Sequence, residues 1–103
     1  MAIVKRILVV CGTGIATAAL VAEKIQSALA ERAITVKTFV CHADDAAQMA
    51  QEFRPDCVVS TTYLDGTLAL PVFRGLPFLT GVKEDEVLAE LTAYLTQPAQ
   101  PSA

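Results

Sequence analysis

Hydrophobic positions along this chain fall into short continuous runs separated by stretches with helical spacing. Ile3–Val10 reads as a strand whose Ile7-Leu8-Val9-Val10 segment is apolar at every position, as a central parallel strand covered on both faces requires. Cys11-Gly12-Thr13-Gly14 breaks it. From Ala16 to Arg32, Ala18, Val21, Ala22, Ile25, Ala28 and Leu29 recur at helical spacing, with Glu23, Lys24, Gln26 and Ser27 on the other face. Ile34–Cys41 alternates instead, and its half-polar face fits an edge strand. Asp44 is the expected N-cap of a short helix that buries Ala46, Met49, Ala50 and Phe53. That helix must stop at Arg54, because the residue before Pro55 disfavours helix.

Asp56–Thr61 reads as a third strand centred on Cys57-Val58-Val59. Between Thr62 and Gly75 the pattern is interrupted by the turn signal Asp65-Gly66 and by Pro71, which blocks a regular central strand. Leu76–Leu79 predicts a short fourth strand. Gly81 with Glu84, Asp85 and Glu86 predicts the start of a last helix whose buried stripe is Val87, Leu88, Leu91 and Leu95. A domain over 1–96 is then followed by a disordered tail, 97–103, with two prolines and no apolar anchor. The order βαβαβ(loop)βα implies parallel strands with right-handed crossovers. The expected fold class is α/β: a single three-layer domain, a four-stranded parallel sheet in the order 2-1-3-4, and helices on both faces. This order puts the loop after strand 1 at the switch point, where open α/β sheets bind ligands.

Composition narrows the classes of function. Hydrophobic residues make up 53% and mean hydropathy is +0.47, yet the apolar runs fall short of the roughly 20 residues of a spanning helix. Seventeen alanines and many Val, Leu and Ile account for the high value, and direct membrane insertion is not expected. No export signal is read, and three cysteines without a CxxC pair make no disulfide framework, so a reducing cytoplasm is expected. A net charge of −3 with no basic run argues against nucleic acid as a partner. One histidine and three scattered cysteines lack the spacing of a metal site, so neither a metal nor another cofactor is expected.

The candidate chemistry lies at Cys11. A strand ends, a cysteine follows, Gly12 and Gly14 bracket Thr13, and a helix begins. Backbone N–H groups that open a helix lack internal partners and, with the helix dipole, form an anion site. The hydroxyls of Thr13 and Thr17 add donors. A thiol beneath such donors is expected to have its pKa lowered from ~8.5. A buried small hydrophobe is the competing reading of a cysteine after an apolar strand, with about equal weight. Three site types use such a loop. A dinucleotide fingerprint lacks its third glycine, since Thr17 stands there. A small cysteine phosphatase needs an arginine six residues after the cysteine to grip phosphate, and that position is again Thr17. The third type holds phosphate on cysteine and passes it on.

Cys11-Gly12-Thr13-Gly14-Ile15-Ala16-Thr17 resembles the phosphocysteine loop of galactitol-type IIB subunits of the bacterial phosphoenolpyruvate-dependent sugar phosphotransferase system. The resemblance extends through Ala22-Glu23-Lys24-Ile25, Ser60-Thr61-Thr62 and the segment from Leu70 to Gly81. It implies a cytoplasmic phosphotransferase, peripheral to the inner membrane through a transporter partner and monomeric when isolated. A IIA partner would carry phosphate on a histidine, Cys11 would take it, and a membrane IIC transporter would deliver it to a sugar or sugar alcohol. By the same carry-over Gly12, Thr13, Gly14, Ile15, Ala16 and Thr17 hold the phosphoryl oxygens. The family commonly has further hydroxyl residues after the motif threonine, where this chain has Ala18 and Ala19. The alternatives are a regulatory or degenerate IIB-like module and a small cysteine phosphatase.

Other candidates weigh less. His42 just past strand 2 could lie near Cys11, although a lone surface histidine is the better reading. Cys41 and Cys57 are expected as core thiols, Asp65 as a turn former, and Arg74 as a solvated side chain. Ile15 is divided evenly between a docking residue and packing beneath the loop.

Overall fold

The computed structural model describes residues 4–12, 15–62 and 70–96, with only the backbone at 15 and 16. Strands β1 (Val4–Cys11), β2 (Thr35–His42), β3 (Cys57–Ser60) and β4 (Val72–Arg74) form one parallel sheet in the order β2-β1-β3-β4. The helices are α1 (Ile15–Ala30), α2 (Ala46–Phe53), α3 (Leu76–Thr80) and α4 (Glu84–Leu95). The α/β class, the strand order and the three layers expected from the sequence are all present. The predicted tail and Asp65 lie outside the described residues.

Burial follows the pleat. Ile7, Val9 and Cys11 of β1 and Cys57 and Val59 of β3 face α1, α3 and α4. Leu8 and Val10, with Cys41 and Val58, face α2 through Ala46, Met49, Ala50 and Phe53. A strand with both faces covered must be apolar throughout, which is why β1 reads as a run and not as an alternation. β2 pairs with β1 alone, and the alternating exposure along it matches the predicted edge position. In α4 the buried residues are Val87, Leu88, Leu91 and Leu95, those of the predicted stripe.

The structure corrects two boundaries and bears out a third. Cys11 is the last residue of β1, not the first of the turn. Asp44 is not an N-cap: Ala43–Asp45 form one 3-10 turn, and Asp45 precedes α2 without a side-chain capping bond. Arg54 does end the helix, adopting a left-handed φ of 53° ahead of Pro55.

The largest correction concerns the fourth strand, which is Val72–Arg74, while Leu76–Leu79 falls in helix α3. Pro71 accepts the Val58 N–H at 2.9 Å and Gly75 donates to the Ser60 carbonyl at 2.7 Å, so the two residues flank β4 and dock it on β3. An edge strand tolerates a proline at its start. Pro77 then sits in the first turn of α3, where its missing N–H is no loss. Gly81, at φ 79°, closes the helix with a bond to the Pro77 carbonyl.

Cys57 is completely buried, and burial, with Asp56 beside it, pushes its thiol up to about 12. The folded chain therefore holds a proton that an unfolded chain releases above about pH 8.5. Stability from this group is full below that pH and declines toward pH 12 by up to ~1.4 kcal/mol per pH unit. Denaturant unfolding between neutral and alkaline pH should show the decline, and Cys57→Ala should flatten part of it. An unchanged slope in that variant would contradict a proton held at Cys57.

Candidate functional site

Because all four strands run the same way, Cys11, His42, Ser60 and Arg74 end them along one edge of the sheet. From β1 the chain crosses to β2 on one side and then returns to β3 on the other. The strand order thus switches direction at β1, the place in an open α/β sheet where ligands bind. Cys11 stands there, 1% exposed, with Gly12 following and α1 opening at Ile15. Thr17 lies half-buried in the first turn of α1, followed by fully buried Ala18 and exposed Ala19. Thr13 and Gly14 lie outside the described residues, as do the side chains of Ile15 and Ala16.

His42 is the register partner of Cys11 across the β1–β2 pair. Register partners in a parallel pair share a face of the sheet, so the histidine is closer to the thiol than its place in the sequence suggests. The residue itself is exposed. Cys41 and Cys57 are buried, as expected, on opposite faces of the sheet. Burial first, and Asp45 second, push the Cys41 thiol up from its ordinary value. Cys57 opens β3, far from any helix start, and Cys41 is followed by His42, the 3-10 turn Ala43–Asp45 and then α2. Arg74 is exposed, as predicted, at the end of β4.

On the other side of Cys11, Thr61 donates its N–H to the Val10 carbonyl at 3.0 Å and brings the end of β3 against the end of β1. Thr62 comes next. Its Oγ1 lies 2.9 Å and its Cβ 3.0 Å from the place a Cβ on Gly12 would occupy. Gly12 is thus required by close approach: any larger residue would displace Thr62. Beside it a cleft of about 410 Å³ opens among Ser60, Thr61, Thr62, Phe73, Arg74 and Leu76. Sequence reading did not assign Thr62 to the site, because only the fold brings residue 62 onto residue 12. Among the described residues there is no cluster of metal-ligating side chains, and no helix is long and apolar enough to cross a membrane.

A small parallel α/β domain with a cysteine at its switch point, four residues before a helix, defines the class. The family model for the lactose/cellobiose-specific IIB subunit of the PTS system matches residues 6–90, and the chain belongs to this phosphotransferase IIB family. It is 31% identical over 93 residues to the Escherichia coli (strain K12) protein SgcB, itself only provisionally assigned as a phosphotransferase enzyme IIB component. That alignment covers 90% of this chain and 99% of SgcB. The solution structure of a IIB subunit of the Escherichia coli K12 PTS system superposes with a TM-score of 0.51. It covers 94% of this chain and 100% of that one at 16% identity, a likeness of fold alone. The matched family has the lactose/cellobiose description, and neither it nor SgcB bears out the galactitol type expected from the loop.

Proposed function

We propose that this protein is a phosphocarrier in which Cys11 accepts a phosphoryl group from a phosphohistidine on a IIA partner. It then passes the group to a sugar or sugar alcohol held by a membrane IIC partner. The observation that carries this reading is the place of Cys11, last residue of the central strand and four residues before α1. In the first step the thiolate sulfur attacks phosphorus, an S–P bond forms, the N–P bond breaks, and the departing imidazole takes up a proton. In the second step a sugar hydroxyl gives up its proton to a base of the membrane partner and attacks phosphorus, an O–P bond forms, the S–P bond breaks, and the thiolate leaves. Backbone N–H groups of the loop from Gly12 to Thr17, with the hydroxyls of Thr13 and Thr17, hold the phosphoryl oxygens through both steps. The helix dipole of α1 favours the thiolate. The galactitol-like loop makes a sugar alcohol our choice of acceptor. We place the protein in the cytoplasm as a monomer, meeting the membrane only through its transporter partner.

Thr17 sets the fate of the phosphocysteine. A cysteine phosphatase has an arginine at that position, which stabilises the charge that develops as water attacks, and a carboxylic acid to activate the water. A neutral hydroxyl and backbone amides bind phosphate but give water no such help. The phosphorylated protein, freed of its donor, should therefore decay far more slowly than it transfers, and p-nitrophenyl phosphate should be turned over at background rate. Rapid turnover that depends on Cys11 would replace the carrier by the phosphatase.

A further inference from the structure

We propose that the Thr62 hydroxyl, braced by Ser60, donates a hydrogen bond to the phosphoryl group on Cys11. The inference rests on the phosphocysteine reading above and adds a residue from a different strand connection. Ser60 is 5% exposed, and its hydroxyl makes two bonds to a single residue. It donates to the Thr62 carbonyl at 2.6 Å and accepts the Thr62 N–H at 3.1 Å. One buried hydroxyl thereby fixes both main-chain polar groups of Thr62 and with them the direction of its side chain. That side chain lies over Gly12, the residue joined to the nucleophile, at a distance that only a missing Cβ permits.

The chemistry of the loop gives this hydroxyl a purpose. The first turn of α1 offers the hydroxyl of Thr17 and is followed by Ala18 and Ala19, neither of which has a side-chain donor. A phosphoryl group on Cys11 presents several oxygens, and α1 approaches them from one side. Thr62 comes from the β3 side, where α1 supplies nothing. Being neutral, it adds a hydrogen bond to the bound oxyanion without the cationic charge that would help water attack. Thr62 is thus a binding residue, while Ser60 acts through it as a positioning residue.

The test is a titration of the whole protein with inorganic phosphate, followed by the amide resonances of Gly12 and Thr62. Wild type, Thr62→Val, Thr62→Ala, Thr62→Ser and Ser60→Ala are compared, with thermal melting of each as the measure of fold. Removing a hydrogen bond to a charged group should weaken phosphate about tenfold in Thr62→Val and Thr62→Ala. Thr62→Ser should stay within about twofold of wild type, and Ser60→Ala should fall between. A purely structural role would lower the melting temperature and the affinity together. Unchanged affinity in Thr62→Val and Thr62→Ala overturns the role of Thr62 and leaves the Cys11 loop as an oxyanion site. Wild type that binds no phosphate at Gly12 overturns the oxyanion loop itself, and the inference with it.

Discussion

Cys11→Ser is expected to reduce phosphoryl uptake from a phosphorylated IIA protein to background, while Cys41→Ser and Cys57→Ser retain it. The three cysteines are all buried, so exposure does not distinguish them. Position does. Cys11 ends β1 at the edge of the sheet where the loop and α1 begin, whereas Cys57 starts β3 at the opposite edge. Cys41 lies beside His42, on the face covered by α2. A serine at position 11 keeps the shape but replaces a thiolate by a hydroxyl that remains protonated at neutral pH. Cys57→Ser places a hydroxyl in a fully buried apolar site and should cost about 1–3 kcal/mol of stability. Transfer of label from phosphoenolpyruvate through the general phosphotransfer proteins reads the first effect, and urea unfolding reads the second. Uptake that persists in Cys11→Ser would remove the nucleophile from this account.

Phe78→Ala is expected to cost about 3–5 kcal/mol, a large part of the ~5–15 kcal/mol that stabilises a domain. Phe78 is fully buried in the cluster that contains Cys11 of β1, Ala18, Val21 and Ile25 of α1, and Leu91 of α4. It is the wedge by which α3, only five residues long, joins α1 and α4 over one face of the sheet. Its loss would also loosen the packing of α1, whose first turn is the candidate phosphate cradle. The exposed Val82 makes a suitable control, and Val82→Ala should stay within about 0.5 kcal/mol. A cost below about 1 kcal/mol for Phe78→Ala would mean that α3 does not brace this face.

Where the chain could be read from its pattern, one physical cause dominated the position. β1 had to be apolar throughout because both faces are covered, β2 had to alternate because one face is wet, and α4 displayed its buried stripe at helical spacing. The Val72–Leu79 region failed for a definite reason. A run of four to eight apolar residues has the same composition in a buried helix as in a strand. Pro77 was the available sign of a helix start, one residue after Leu76. Pro71 deterred a strand assignment although an edge position tolerates it. Asp44 had the residue type of a cap, but the 3-10 turn at Ala43–Asp45 shifted the helix start beyond it.

The site was legible in a similarly uneven way. Cys11 and the start of α1 are local in sequence, so a strand–Cys–Gly–helix pattern exposes them. The register of His42 against Cys11 and the approach of Thr62 to Gly12 depend on strand pairing, and no spacing along the chain encodes either. Ser60 and Thr62, two residues apart with hydroxyl side chains, were the only local hint of a turn in which one side chain orders the other.

The most direct test of the phosphocarrier reading is the site of phosphorylation. The protein is incubated with a phosphorylated IIA protein, its intact mass is recorded, and the modified residue is located by fragmentation under conditions that preserve S–P and N–P bonds. A single phosphoryl group on Cys11 is the predicted result. A phosphoryl group on His42, or none on a chain whose donor is fully charged, would contradict it.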